Sequence, residues 1–422
     1  MDTNRLSVIH LTPHFYWPHL ETRGWPVKFD TMGGMQNQIF RQVNFLDKLK
    51  VQQLVITLKI PGTPKVYNIS CNTKVIGKRI SILPIKSRIR GMVDLNISWL
   101  LGTLVFMIKN KVTLKKKYKI IHCHCSGVGI PLIGGYLVAR LLKLPLLTSI
   151  HCSAISTYKP MSYLDKYLHK LNIFIEKSVL RKTNHVIFLT KSSMEECAKY
   201  VPELKNKSSI ISDSIDSQYF TELKAKYPKE DFIKQYNIPT NKPICIYVGR
   251  IAREKGWRDI VTLAKQLKEK FHFLMVGDGN EFDLMKEEVY ENNLNSFFTF
   301  VGYIPQEKVP VAMSLAMVLI LPSRHEEFGS VLLESMTMGL VSIAYNVGGV
   351  HNVITHKKDG LLASNLTEMK NFMEEIPNNK LLRENISKNA KKAVHQKFQL
   401  SLRGNEIYNI YKKISSEEVQ ND

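Results

Sequence analysis

The chain is short of acids and short of cysteines. Against 59 lysines and arginines stand 37 aspartates and glutamates, so its 422 residues carry a formal charge of +22. Such an excess attracts polyanions: nucleic acid, anionic lipid headgroups or phosphorylated small molecules. The lysines are nevertheless scattered as on a solvated surface. Arginine–glycine tracts, zinc-finger spacings and the aromatic strings of RNA-binding sheets are all missing, which leaves a basic nucleic-acid-binding protein as a remote alternative. Six cysteines in so long a chain do not make a disulfide framework. Residues 1–7 are polar and lack a signal peptide's apolar core. Reduced thiols and a cytoplasmic location are therefore expected. The longest apolar run, residues 99–108, holds Gly102 and Thr103 and falls well short of the roughly 20 residues of a spanning helix. No repeat of solenoid period is present.

What is present is a succession of short apolar strands and amphipathic helices. Length allows two or three domains with filled cores. A strand at 6–11 leads through a long polar and aromatic loop to Gly33-Gly34 and a helix at 35–49. Strands follow at 51–58, 74–83, 119–123, 146–150, 185–189 and 209–211, with helices at 92–111, 127–142, 163–181 and 191–199 between them. A second series starts with a strand at 244–248 and alternates to helices at 366–375, 380–397 and 402–414. This alternation predicts an α/β protein of two doubly wound, Rossmann-like halves. The expected domains are 1–213, a linker with a short helix at 214–242 broken by Pro228 and Pro239, and a second domain at 243–397. A last helix at 398–415 is placed to cross back to the first domain, and 416–422 reads as a disordered tail. The default ligand site is a cleft between the halves.

One stretch organises the second half: Glu326-Glu327-Phe328-Gly329-Ser330-Val331-Leu332-Leu333-Glu334, running on to Gly348-Gly349. A buried strand before it stops at Pro322, and a helix begins at Gly329 or Ser330. A helix N-terminus opening on glycine is an anion site. The flanking carboxylates suit hydroxyls instead. The loop from Gly249 to Gly256 adds Arg250, a planar fork for phosphate oxygens, and Lys255, a point charge. It is neither a Walker loop nor a dinucleotide fingerprint. His151 ends a strand, where open α/β sheets place ligands. His122-Cys123-His124-Cys125 puts its histidines on one strand face and its cysteines on the other. No second ligand cluster at zinc spacing accompanies it, and no metal is expected.

Taken in order, Gly33-Gly34, His151, Val248-Gly249-Arg250 with Lys255-Gly256, Val276-Gly277-Asp278-Gly279, Phe300-Val301-Gly302, Glu326-x-Phe328-Gly329 with Glu334, and Gly348-Gly349 resemble the retaining nucleotide-sugar glycosyltransferases of family 4, which have the two-domain GT-B fold. The resemblance implies that Arg250 and Lys255 bind the donor diphosphate, with Gly329 and the backbone at Val331 and Leu332 beside it. Glu334 would take ribose hydroxyls and Glu326 the donor sugar's hydroxyls. Gly33 and Gly34 would let the first loop approach phosphate and sugar, and His151 would lie beside the transferred sugar. His151, Glu326, Arg250 and Lys255 are the implied catalytic set. No cofactor is implied, since a UDP-sugar is a co-substrate. Asp213-Ser214 departs from the family's Asn-Gly.

The run Trp17-Pro18-His19-Leu20 to Gly24-Trp25-Pro26-Val27-Lys28-Phe29-Asp30 and Gly33-Gly34-Met35-Gln36 resembles, within that family, the 2-deoxystreptamine N-acetylglucosaminyltransferases of butirosin- and neomycin-type aminoglycoside antibiotic biosynthesis. UDP-N-acetylglucosamine and a cationic aminocyclitol are then the expected partners, with Glu21 and Asp30 the first acidic residues to test against the acceptor. The alternative is a transferase of the same fold acting on an inositol phosphate or a membrane lipid, docked through the lysines at 109–119.

Overall fold

The structure, a computed structural model, describes residues 5–17, 33–60, 62–80, 88–156 and 163–419. It divides into two compact units, residues 1–212 with 400–422, and residues 213–399.

The first unit is built on an eight-stranded sheet, β1 Ser7–Leu11, β2 Gln52–Leu58, β3 Val66–Asn68, β4 Thr73–Lys78, β5 Ile120–Ser126, β6 Leu146–Cys152, β7 His185–Phe188 and β8 Ser208–Ile210. The order is β3-β4-β2-β1-β5-β6-β7-β8, parallel except for the antiparallel β3–β4 pair. Strands of near-continuous Val, Ile and Leu, such as Leu54, Val55 and Ile56, are buried on both faces as a parallel sheet requires. Helix Gly129–Leu142 packs on β5 and against helix Arg88–Lys109 on one face. On the other face Val8, Leu46, Ile120, Leu147, Ile187, Ile407 and Tyr411 form a core beneath helices Gly34–Lys48 and Leu400–Val419. The last helix therefore belongs to the first unit. Its residues continue helical to Val419, so the expectation of a disordered tail from 416 is corrected over 416–419. Buried Tyr411 and Ile414 anchor that final stretch.

The expected helix at 92–111 is two helices. Arg88–Lys109 stops, and Lys111–Lys117 continues after a bend of 84°. Asn110 breaks the run with its side-chain amide turned back to the Phe106 carbonyl at 2.8 Å. Among the described residues no single helix is long and apolar enough to cross a membrane; this bent pair passes such a test only when joined.

The second unit carries β9 Ile244–Val248, β10 His272–Val276, β11 Phe298–Gly302, β12 Val318–Leu321, β13 Val341–Tyr345 and β14 Leu361–Ala363, all parallel, in the order β11-β10-β9-β12-β13-β14. Residues 214–242 are not a bare linker with one short helix. They fold as helices Ser217–Lys226 and Lys229–Tyr236 within this unit. Asp216 caps the first by accepting from the Tyr219 N–H at 3.1 Å, and Phe220, Leu223 and Phe232 are buried. Charge and proline hid a narrow apolar stripe in that stretch.

Candidate active site

The order of the second sheet reverses between β9 and β12, and open α/β sheets bind ligands outside the carboxyl ends of strands at such a point. The loops that leave those two strands carry the residues singled out from the sequence. After β9, residues 253–255 make one 3-10 turn, and Gly256 in the left-handed region (φ +73°) starts helix Trp257–Leu267. After β12, Pro322 to Phe328 lead to Gly329, which starts helix Ser330–Met338 with no side chain capping it.

Across this junction the Lys255 ammonium and the Glu326 carboxylate meet at 2.6 Å. Their side chains are 23% and 11% exposed, so the pair is largely shielded yet open to a ligand. Arg250 lies on the same loop but pairs with Glu254 at 2.9 Å on the exposed side. Glu334 is buried one turn into the helix, where it accepts from the Gln306 amide at 2.7 Å. Gln306 follows β11 and escaped the sequence reading, since a lone glutamine after Pro305 carries no motif. The Leu332 N–H is already turned back onto the Gly329 carbonyl at 2.8 Å. Asp213, where the family pattern has Asn, accepts from the Ser330 hydroxyl and so sets a carboxylate at the start of that helix, a favourable place for negative charge.

The loops also hold one another. A Cβ on Gly348 would lie 1.9 Å from the Glu326 carbonyl oxygen, and one on Gly256 would lie 1.9 Å from that of Pro322. The Gly349 N–H donates to the same Glu326 carbonyl at 2.8 Å. These two glycines thus serve loop-on-loop packing, beyond any approach to phosphate. Arg324 reaches Asp259 at 2.8 Å, and the Tyr345 hydroxyl donates to the other Asp259 oxygen at 2.7 Å. This brace ties the β12 loop to helix Trp257–Leu267 and β13. His325 precedes Glu326 in the chain; burial lowers its pKa, Glu326 opposes that, and Lys255 adds to it.

In the first unit Gly33 precedes helix Gly34–Lys48 as its N-cap, again with no side-chain cap. His151 is the penultimate residue of β6 and joins a row of histidines on one sheet face. His10 Nδ1 lies 3.2 Å from His124 Nε2, and His124 Nδ1 lies 3.2 Å from His151 Nε2. His122 bonds to the Tyr411 hydroxyl at 2.6 Å and to Ser149 Oγ at 2.8 Å. Burial lowers the pKa of all four imidazoles, to about 4 for His10 and His151. The expected sharing of a face by His122 and His124 holds, with ring centroids 4.1 Å apart. His10 completes a triad with ring nitrogens within 4.8 Å of one another, the one metal-sized group among the described residues. Every ring nitrogen of that triad already has a protein partner. Glu21 and Asp30 lie outside the described residues.

Chemically, a lysine, an arginine and an uncapped helix start can stabilise a phosphate or a growing negative charge. The carboxylates can accept from hydroxyls.

Two family models match the chain: one described as "Glycosyltransferase Family 4" over residues 32–219 and one described as "Glycosyl transferases group 1" over residues 228–393. A 2-deoxystreptamine N-acetyl-D-glucosaminyltransferase of Streptomyces fradiae is 32% identical over 85% of this chain and 84% of its own length. Its counterpart from Niallia circulans is 32% identical over 78% and 84%. A 2-deoxystreptamine glucosyltransferase of Streptomyces kanamyceticus is 33% identical over 78% and 85%. Among solved structures, a sucrose-phosphate synthase from Thermosynechococcus elongatus superposes with a TM-score of 0.80 at 22% identity over 98% of this chain and 100% of that one. Anabaena HepE in complex with UDP does so at 0.69 and 16% over 97% and 100%. At these identities the structural likenesses speak for the fold alone.

Proposed function

The chain belongs to the group 1 glycosyltransferases of family 4, and on that premise we propose that it is a retaining enzyme moving N-acetylglucosamine from UDP-N-acetylglucosamine to a hydroxyl of 2-deoxystreptamine. The observation that carries the donor half is the Lys255–Glu326 contact at the strand-order reversal. In this reading the donor enters between the two charges. Lys255 and Arg250 take the diphosphate, Glu326 accepts from sugar hydroxyls and Glu334 from the ribose. Breaking the anomeric C–O bond leaves negative charge on UDP, and pre-placed cations with the start of helix Ser330–Met338 stabilise it as it grows. No metal or other cofactor is needed for that step. Three relatives of 32–33% identity named for 2-deoxystreptamine support the acceptor, while their names divide between N-acetylglucosamine and glucose as the sugar. We place the reaction in the cytoplasm.

The test is incubation with 2-deoxystreptamine and a panel of UDP-sugars, read by product mass. One N-acetylhexosamine added is the expected result. A hexose instead corrects the donor, and no product from any donor sinks the acceptor.

One observation favours a second reading, a lipid acceptor. Leu101, Val105, Ile108 and Val112 are 38–68% exposed along the bent helix pair, beside Lys109, Lys111 and Lys115 to Lys117. An apolar stripe edged with lysines suits an anionic bilayer surface. Sedimentation with phosphatidylserine vesicles that is lost on changing those lysines to glutamate would favour it; no sedimentation would remove it.

A further inference from the structure

The histidine row of the first unit has a direction, and its hydrogen bonds fix that direction from one end. The Gln53 amide nitrogen donates to the Val43 carbonyl and to Thr73 Oγ1, each at 2.9 Å. Thr73 in turn donates its hydroxyl proton to Asp47 at 2.6 Å. A backbone carbonyl and a committed hydroxyl can only accept there, so the Gln53 amide cannot flip. Its oxygen is the atom facing His10 Nε2, at 3.1 Å. His10 must then carry its proton on Nε2 and leave Nδ1 bare. A bare Nδ1 at 3.2 Å requires the proton of His124 on its Nε2. His124 Nδ1 is bare in turn, and it takes the proton on His151 Nε2 at 3.2 Å.

The row ends at His151 Nδ1, which is buried and has no hydrogen-bond partner. His151 is the penultimate residue of β6, near the carboxyl end of the strand, and open α/β sheets bind ligands outside such ends. Neutral imidazoles are required throughout, and burial of all four rings keeps them so. His122 stands outside the row, hydrogen-bonded to Tyr411 and Ser149. A metal held by His10, His122 and His124 would have to break bonds that are already complete.

We propose that Gln53, His10 and His124 are positioning residues that lock His151 in its Nε2–H form, so that Nδ1 meets the substrate as a hydrogen-bond acceptor and selects a hydroxyl of the transferred sugar. This rests on the reading of His151 as lying beside that sugar. A bare ring nitrogen accepts from a hydroxyl and repels a phosphate or carbonyl oxygen. The proton order therefore sorts what can occupy the point next to it.

The experiment uses the full chain with ring-15N-labelled histidine. His151 is assigned by its loss in His151→Ala. A single Nε2–H tautomer at His151 is expected in the unsubstituted protein. A protonated Nδ1, a mixture of tautomers or a cation overturns the proposal, as does a stoichiometric metal bound to these rings. His10→Leu removes the acceptor for His124 and should leave His151 as a mixture, with kcat about tenfold lower, the worth of one neutral hydrogen bond. His10→Gln can still accept from His124 and donate to Gln53, and should restore both tautomer and rate. With UDP-sugars deoxygenated at one position each, one donor should lose the tenfold penalty of His10→Leu, because it has no hydroxyl to offer. Equal penalties on every deoxy donor overturn the sugar contact. Absence of any transfer by the unsubstituted chain is a separate result and speaks against the glycosyltransfer reading instead.

Discussion

Lys255→Met is the substitution with most to say. Methionine keeps most of the side chain's volume and removes its charge, leaving the Glu326 carboxylate, 11% exposed, without the partner it has at 2.6 Å. Exposed pairs contribute about 0–1 kcal/mol and fully buried ones about 3–5 kcal/mol when one partner is removed. This pair lies between those limits, so a stability loss of roughly 1–3 kcal/mol is expected from urea titration. The catalytic loss should be larger: removing one pre-placed stabilising group costs about 10²–10³ in kcat, or about 3–4 kcal/mol. The two effects separate in the double variant Lys255→Met/Glu326→Met. Pairing two methionines restores most of the stability, because no lone charge is left buried. It restores none of the turnover, because the diphosphate still lacks its cation and the sugar its carboxylate. Calorimetry with UDP should show the same failure to recover. A double variant that regains both stability and near-normal turnover would show the pair to be a strut between loops, and the donor-site argument would be wrong.

Gly348→Ala should place a methyl 1.9 Å from the Glu326 carbonyl oxygen; we expect a stability cost of roughly 1–3 kcal/mol and a lower kcat, both measurable on purified protein. Acid should weaken the first unit. The folded pKa of His10 is about 4 against 6.5, so the unfolded chain takes up its proton first and stability falls as pH drops below 6.5, by about 2 kcal/mol at pH 5. Glu176 works the other way: burial raises its pKa to about 7, so its contribution is full below 4.5 and is lost as pH rises through 7. Glu176→Gln should therefore steepen the acid loss seen by urea titration between pH 7 and 5, and an unchanged slope would contradict the assignment. Tyr411→Phe should cost about 1–3 kcal/mol by removing the 2.6 Å hydrogen-bond partner of His122 Nδ1, read as a fall in Tm.

Much of the geometry at the strand-order reversal was legible because its signals are local. A strand, a glycine turn and a helix recur at 244–267 and 318–338, and each leaves its marks within about a dozen residues. Lys255 and Glu326 could be named without knowing that they touch. What stayed hidden depends on contacts distant in sequence. Gln306 acquires meaning only against Glu334, 28 residues on. Asp259, Arg324 and Tyr345 form one brace from three elements. The histidine row draws on β1, β5 and β6, and His10 alone in an apolar strand gives no hint of it. Of helices Ser217–Lys226 and Lys229–Tyr236 only one short helix was expected, because few apolar residues suffice to bury a short helix against large neighbours. The three-residue strands β3 and β14 are too short to show a period.

The glycine contacts among the strand-end loops have an engineering consequence. With Gly348 pressed on Glu326 and Gly256 on Pro322, these turns behave as a single interlocked part. Lengthening or swapping one of them displaces its neighbours. Libraries that randomise a single turn should return mostly unfolded clones. Exchanging the whole set at once from a relative should keep the part intact and, on the proposed donor-site reading, transfer its donor preference with it.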